Sequence, residues 1–234
     1  MIRCFRYLSI SAAMIVLVAC GNSPEQYVLP DKVTDFATLY KDNCAGCHGE
    51  KGQHGAARPL NDGLYLALIG KERLRKVIAN GVPGTTMAPF AQDQGGTLTD
   101  EQIAVLADEM EKKWARPQEL DTAAMPPYDG ALGNATAGSI AFRQYCTSCH
   151  GADGTGVAGR RGGSAVDPAY LALVSDQYLR TTVIAGRSDE AIPNWRTYVP
   201  GQEMKPQEVS DVVAWLAAHR STPGNRTKGG SNIP

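Results

Sequence analysis

Two short segments of the chain hold the side chains best suited to redox or metal chemistry. Each has two cysteines separated by two residues and followed directly by a histidine, namely Cys44, Cys47 and His48 in one and Cys146, Cys149 and His150 in the other. Three kinds of chemistry use such a pattern. Each pair can bond the two vinyl groups of one haem while the imidazole binds its iron, the four thiols can hold one zinc ion, or each pair can work as a dithiol.

Both segments belong to an internal repeat that covers most of the chain. Residues 40–52 recur as residues 142–154 at an offset of 102, and residues 65–69 recur as 170–174 at an offset of 105. A repeat of this length predicts two similar folded units. We therefore expect one domain over residues 31–114 and a second over 136–221, joined by a linker at 115–135 that is rich in proline and glycine. Residues 222–234 are expected to form a disordered tail.

The periodicity of apolar residues is helical in both copies, and no segment competes as a strand. A helix is expected at residues 71–80 with Gly81 as its stop, and its counterpart begins after Ser175 as N-cap. The last helix of the first copy begins with the capping-box pattern of residues 99–102, and that of the second copy has Pro206 at its first position. The sequence predicts an all-α protein.

The N-terminus is typical of an export signal. Arg3 and Arg6 precede an uncharged, largely apolar run over residues 8–18, which is too short to span a bilayer. Residues 17–20 also resemble the lipobox of bacterial lipoproteins, which are cut before the cysteine and acylated on it. We expect a signal peptide at residues 1–19, lipidation of Cys20, and a tether over residues 20–30. An ordinary signal peptide with an incidental cysteine is the alternative.

The composition limits the kinds of partner. The 234 residues include 23 Lys plus Arg and 24 Asp plus Glu, which leaves a formal net charge of −1. A nucleic-acid partner would normally require a basic face, so none is expected. Apolar residues make up 43% of the chain, which is enough to bury a core.

Haem is the best of the three chemistries for the paired motifs. A structural zinc site needs four ligands from converging elements, and it gives no reason for a histidine after each pair. Redox-active dithiols lie in a βαβ context, which this sequence lacks. The adjacent histidines, the predicted export and the repeat of a whole domain around each motif favour two covalently attached haem c groups.

With these motifs the sequence resembles the class I c-type cytochromes, and the resemblance covers nearly the whole mature chain in two copies. It implies a few helices around each haem, with Cys44, Cys47, Cys146 and Cys149 as attachment sites and His48 and His150 as proximal ligands. It also implies a distal methionine from the loop before the last helix, which in the first copy is Met87. Core packing is the alternative for Met87. The segment at residues 58–60 resembles the one in which a proline carbonyl, here that of Pro59, accepts the proximal imidazole N–H.

The second copy departs from the family at the distal ligand. Six residues after Gly186 lies Ile192, where the first copy has Met87 six residues after Gly81. The remaining methionine, Met204, is a candidate iron ligand, but it matches Leu98 and is also a candidate core residue. If Met204 packs in the core, the site is open, holds water, or takes His219 as its ligand. We expect two inequivalent haems, the second with a weak or absent sixth ligand and a lower potential.

These features predict an electron carrier rather than a substrate-converting enzyme. The expected function is transfer between an extracytoplasmic donor, such as a quinol-oxidising complex, and an acceptor such as a terminal oxidase or a soluble cytochrome. A dihaem peroxidase-like enzyme or small-substrate oxidase that uses an open second haem is the alternative, and a gas sensor is a third. The expected location is the periplasmic face of a bacterial membrane, either inner or outer.

The lipid anchor is testable by a single substitution. Cys20→Ser removes the thiol that would be acylated, and two or three acyl chains are what make an anchor firm. The variant should move from the membrane fraction to the soluble fraction, measured by haem stain after salt washing. A variant that stays membrane-bound with its leader cleaved would show that the lipoprotein assignment is wrong.

Overall fold

The computed structural model describes residues 27–116, 122–160 and 162–220. Cys20, the predicted signal peptide and the predicted tail lie outside the described residues. Within them the secondary structure is helical, with short 3₁₀ turns and isolated β-bridges but no strand. None of the described helices is both long enough and apolar enough to cross a membrane.

The helices repeat in the order that the sequence predicts, so the all-α fold of two repeated units is confirmed. The first domain consists of α1 (Phe36–Asn43), α2 (Ala45–His48), α3 (Gly63–Ile69), α4 (Lys71–Asn80) and α5 (Asp100–Trp114). The second consists of α6 (Ala135–Tyr145), α7 (Thr147–His150), α8 (Pro168–Leu173), α9 (Asp176–Ala185) and α10 (Pro206–Ala217).

Local signals set where these helices begin. Ser175 accepts a hydrogen bond from the Tyr178 N–H at 3.1 Å and caps α9, as predicted. Thr99 and Gln102 form the predicted capping box at α5. Such caps satisfy backbone N–H groups that have no partner inside the helix. The starting points of α5 and α9 are therefore fixed by local chemistry.

The last helix of each domain supplies the core. The predicted apolar face of α5 and its counterpart on α10 are both buried, with exposed fractions from 0% to 6%: Ile103, Leu106, Met110, Val209, Val212 and Leu216. In the second domain α10 crosses α6 so closely that a Cβ on Gly138 would lie 1.9 Å from the Asp211 carbonyl oxygen. The glycine is required there for the crossing.

The domains contact each other directly. Helix α3 of the first packs against α9 of the second. The loop before α3 also reaches the turn after α9, where Arg187 donates to the Ala57 carbonyl oxygen at 3.3 Å and Ser188 to the Asp62 carboxylate at 3.3 Å. The two motif-bearing units are therefore held against each other by polar bonds as well as by packed helices.

The segment between the domains is held by arginines from both sides. Arg180, 5% exposed, donates to the carbonyl oxygens of Pro127 and Tyr128 at 2.8 and 2.9 Å. Arg73 of the first domain pairs with Asp129 at 2.5 Å and lies over the Tyr128 ring at 4.5 Å. Arg180 is therefore not on a solvated helix face, because its guanidinium is buried and binds two main-chain carbonyl oxygens of the linker.

Replacing Arg180 should loosen this segment. Arg180→Ala leaves the carbonyls of Pro127 and Tyr128 without their charged donor, and bonds of this kind contribute roughly 1.5–3 kcal/mol each. We expect the free energy of unfolding of the second domain to fall by about 3 kcal/mol, measured by urea denaturation. Cleavage at residues 122–134 should also become faster in limited proteolysis.

Arg73→Ala is the matched control, since it removes an arginine from the other side of the same segment. Its ion pair with Asp129 is solvent-exposed, so its loss should cost about 1 kcal/mol or less. Equal destabilisation by the two substitutions would contradict the role assigned to Arg180.

Candidate haem sites

Each Cys-x-x-Cys-His motif forms one tight turn at the end of the first helix of its domain. In the first copy the N–H groups of Cys47 and His48 donate to the Cys44 carbonyl at 3.2 and 2.9 Å. In the second copy Cys149 and His150 make the same bonds to Cys146 at 3.2 and 3.0 Å. The two thiols and the imidazole of each motif are therefore displayed from a single turn.

The four cysteines are free and remain in two separate pairs. Cys44 and Cys146 are half-buried, and burial, together with the charge of the neighbouring thiol, raises the pKa of each to about 12. Their partners Cys47 and Cys149 are exposed. Across the described residues no three His, Cys, Asp or Glu side chains are grouped as a metal cluster would be. The pairs do not converge into a shared four-thiol zinc site.

Both histidines predicted as proximal ligands are oriented by a main-chain carbonyl. The Nδ1–H of His48 donates to the Arg58 carbonyl oxygen at 2.7 Å, and that of His150 donates to the Gly163 carbonyl oxygen at 2.7 Å. A carbonyl can only accept, so Nδ1 carries the proton and Nε2 keeps its lone pair for iron. Burial lowers the pKa of His48, and the charge of Arg187 acts in the same direction, so its neutral, ligating form is favoured.

The expectation that Pro59 supplies this acceptor is wrong, because the bond comes from the residue before it. Ala57 N–H donates to the Cys47 carbonyl and Leu60 N–H to the Gly52 carbonyl, both at 2.9 Å, which turns the Arg58 carbonyl toward the imidazole. Gly163 matches Arg58 at the repeat offset of 105, so the second copy keeps the bond without the proline. A main-chain acceptor does not depend on the side chain.

Met87 lies in a tight turn that follows α4. The Val82 N–H donates to the Met87 carbonyl at 2.9 Å, and the Met87 N–H donates to the Thr85 hydroxyl at 3.2 Å. Gly81 opens the turn with φ of 64°, and a Cβ there would lie 2.4 Å from the Met87 carbonyl oxygen. The side chain is half-buried. Its ligation of iron stays a prediction.

Ile192 takes the place of Met87 in the second domain. The Arg187 N–H donates to the Ile192 carbonyl at 3.1 Å, as Val82 does to Met87, and a Cβ on Gly186 would lie 2.5 Å from the same oxygen. The two turns therefore correspond residue for residue, although their sequences differ. Isoleucine has no atom that can bind iron.

Met204 occupies the position of a core residue. Its N–H donates to the Trp195 carbonyl at 3.0 Å, as that of Leu98 does to the Phe90 carbonyl at 2.8 Å. Met204 is 1% exposed and Leu98 is 4% exposed. Its role as a ligand stays a prediction, and its main-chain contact and burial are those of Leu98.

Other histidines and arginines of the sequence have protein partners. His219 is exposed, bonds the Trp215 carbonyl at 2.8 Å and lies edge-on against that indole. Arg75, matched with Arg180 in the repeat, pairs with Asp108 at 2.6 Å. Sequence reasoning missed the side chains of Arg58 and Arg187, both buried at the domain contact. The repeat gave little indication of their importance, because Gly163 stands at the position of Arg58 and Val82 at that of Arg187.

Comparison with known families agrees with this geometry. The model of the family "Cytochrome C oxidase, cbb3-type, subunit III" matches residues 31–108, and that of "Cytochrome c" matches residues 135–220. The chain is a dihaem class I c-type cytochrome. The cytochrome carries two covalently bound haem c groups, one in each matched region, and the free thiol pairs and oriented imidazoles suit that cofactor.

Several curated proteins are similar to the cytochrome. The cbb3-type cytochrome c oxidase subunit FixP of Sinorhizobium medicae (strain WSM419) is 31% identical over 149 residues, which are 58% of this chain and 46% of the relative. The FixP subunit of Bradyrhizobium sp. (strain ORS 278) is 28% identical over 68% of this chain and 52% of its own. The fructose dehydrogenase cytochrome subunit of Gluconobacter japonicus is 35% identical over 39% and 21%. The cytochrome spans about half the length of the FixP relatives.

Substituting one residue tests the distal assignments. Ile192→Met places a thioether where the second turn matches that of Met87, so the variant should gain a second methionine–iron charge-transfer band. The potential of the second haem should rise, because methionine ligation raises it. Near-infrared spectra and a redox titration measure both effects.

Two further variants complete this test. Met204→Leu should leave the spectra of both haems unchanged if Met204 packs as Leu98 does, whereas Met87→Leu should abolish the band of the first haem. A charge-transfer band lost with Met204→Leu would instead identify Met204 as the second distal ligand.

Proposed function

We propose that this cytochrome is a lipid-anchored electron carrier at the periplasmic face of a bacterial membrane. It passes electrons from an extracytoplasmic donor complex to an acceptor such as a terminal oxidase. The observation that carries the proposal is the pair of haem sites, each with its own oriented proximal histidine, in domains bonded directly to each other. The similarity to oxidase and dehydrogenase cytochrome subunits supports both kinds of partner.

The residues provide what one-electron transfer requires. Each haem supplies the electron exchange when bound. Nε2 of His48 and the thioether of Met87 would hold the iron of the first haem, and Nε2 of His150 would hold that of the second. The carbonyls of Arg58 and Gly163 fix both rings in place, so little reorganisation accompanies a change of charge.

The contact between the domains supports transfer within one molecule. The loop after the first haem motif bonds to the turn of Gly186 and Arg187, which precedes Ile192 at the second haem. The linker is held to both domains by Arg73 and Arg180. The two haem sites therefore stay at a fixed separation, and an electron can move between them without diffusion of the domains.

A second function is favoured by one observation, the isoleucine at the distal position of the second haem. If no other side chain binds the iron there, small molecules such as peroxide would have access to it, which is what a peroxidase-like enzyme needs. The same feature makes the two haems inequivalent, with the second at lower potential. Ligand binding alone therefore does not separate the two functions.

Rapid mixing separates them. The fully reduced cytochrome is mixed with aerated membranes that contain a terminal oxidase. Both haems should be oxidised much faster when the oxidase is present and active than when it is absent or inhibited. The reduced protein mixed with peroxide and an electron donor should turn over slowly. Peroxide turnover on the order of tens per second or faster would be enzymatic and would overturn the carrier function.

Carbon monoxide tests the second site on its own. The reduced protein should bind close to one equivalent, at the haem of His150, while the haem of His48 and Met87 should bind none. Uptake is measured from the visible spectrum. Binding of two equivalents, or of none, would contradict the predicted inequivalence of the haems.

A further inference from the structure

Arg58 is a buried cation without an anionic partner among the described residues. Its side chain is only 6% exposed, yet no Asp or Glu of the described residues lies within ion-pair distance of it. One terminal nitrogen donates to the Thr182 hydroxyl at 2.8 Å and the other to the Gly186 carbonyl at 3.4 Å. Its Nε is buried and has no hydrogen-bond partner. The guanidinium therefore has unused donor capacity and an uncompensated charge.

The neighbouring arginines show how this protein treats buried cations elsewhere. Arg187, also at the domain contact, pairs with Asp189 at 2.9 Å and Glu190 at 2.8 Å. Arg180 donates its N–H groups to the carbonyl oxygens of Pro127 and Tyr128 and to the Ser210 hydroxyl. Burying a charge is costly unless it is paired and hydrogen-bonded. Arg58 has neither the carboxylates of Arg187 nor the full set of acceptors of Arg180, because its buried Nε has no partner.

The guanidinium lies between the two haem sites. The main chain of Arg58 accepts the proximal N–H of His48, while its side chain reaches Thr182 and Gly186 at the distal turn of the second haem. Burial and the charge of Cys146 raise the pKa of Tyr198, and the charge of Arg58 opposes that rise. Tyr198 therefore interacts electrostatically with both a haem-attachment cysteine and Arg58.

Aromatic rings surround the guanidinium on its other sides. Its central carbon lies 4.7 Å from the centroid of Tyr65 and 5.6 Å from that of Tyr178. These rings exclude water and hold the guanidinium in place, which strengthens its interaction with any anion that meets its free edge.

We propose that Arg58 pairs with a haem propionate carboxylate at the contact between the domains. A carboxylate matches the donor fork of arginine, and the haem groups bring anions to this region that the polypeptide does not supply. The pairing depends on the presence of the two haems but not on the identity of the redox partners. It can therefore be tested independently of the proposed function.

The pairing has a measurable electrochemical consequence. A positive charge held at a haem edge favours the reduced haem, which carries one negative charge more than the oxidised form. Arg58→Gln should lower the midpoint potential of the paired haem so that its reduced-to-oxidised ratio at a given potential falls about tenfold, equivalent to about 59 mV for one electron. The propionate without its arginine should also bind a proton more readily on reduction, so the potential of that haem should rise as the pH falls.

The experiment is a redox titration of the full chain with both haems bound, at several pH values. Arg75→Gln is the matched control, since it removes the same charge from the same domain but from a residue already paired with Asp108. It should leave both potentials and their pH dependence unchanged. A shift in the haem with the methionine charge-transfer band identifies its propionate as the partner, and a shift in the other haem identifies the second. Unchanged potentials in Arg58→Gln would overturn the proposal.

A measurement on the unsubstituted protein keeps the proposal testable if Arg58→Gln does not fold. Infrared spectra with isotope-labelled haem report the ionisation of the propionates directly. At about pH 4, where an ordinary carboxyl group is half protonated, at least one propionate should remain fully ionised. Protonation of every propionate at that pH would overturn the pairing.

Discussion

The hydrogen bond from each proximal imidazole to a main-chain carbonyl is the constraint on which the two haem domains depend. It spans 10 residues in the first domain and 13 in the second, and it closes the loop after each haem motif. The bond fixes the tautomer of the histidine and the direction of its ligating lone pair. In the first domain it also fixes Arg58, whose carbonyl serves His48 while its side chain extends into the second domain.

The contact between the domains follows from this loop. Because the loop is held against His48, Ala57, Arg58 and Asp62 stand at fixed positions facing the turn after α9. From that turn Arg187 donates a hydrogen bond to the Ala57 carbonyl oxygen, and Asp189 and Glu190 neutralise its charge. The loop that orients His48 is thus tied to the turn of Gly186 and Arg187 in the second domain.

The sequence is most informative where structure is local. The helices, the caps at Thr99 and Ser175 and the apolar faces of α5 and α10 were predictable because periodicity and capping chemistry act within a few residues. The correspondence of Ile192 with Met87 was predictable because a glycine sets the same turn in both copies. The family pattern assigned the acceptor of the His48 Nδ1–H to Pro59, whereas the acceptor is the carbonyl of the preceding residue, Arg58. Such a pattern locates a segment but does not give the direction of each carbonyl.

Contacts between distant segments could not be read in this way. Arg180 binds a linker residue 53 positions away, and Arg58 binds a residue of the second domain 124 positions away. No local sequence pattern marks such pairs. A surface arginine and a buried one look alike in sequence. The fold alone brings the carbonyls of Pro127 and Tyr128 to Arg180. It likewise brings Thr182 and Gly186 to Arg58.

The domains associate head to tail, and this determines how far such an association can extend. Helix α3 contacts α9, yet the repeat counterpart of α3 is α8 and that of α9 is α4, so the two contacting surfaces are different parts of the same fold. A head-to-tail contact between identical units can repeat, either into a closed ring or into an open filament. Here the arginines that make the contact have no copies, because Gly163 stands at the position of Arg58 and Val82 at that of Arg187. Because the two copies differ at these positions, the surfaces at Gly163 and Val82 cannot make the same arginine contacts a second time.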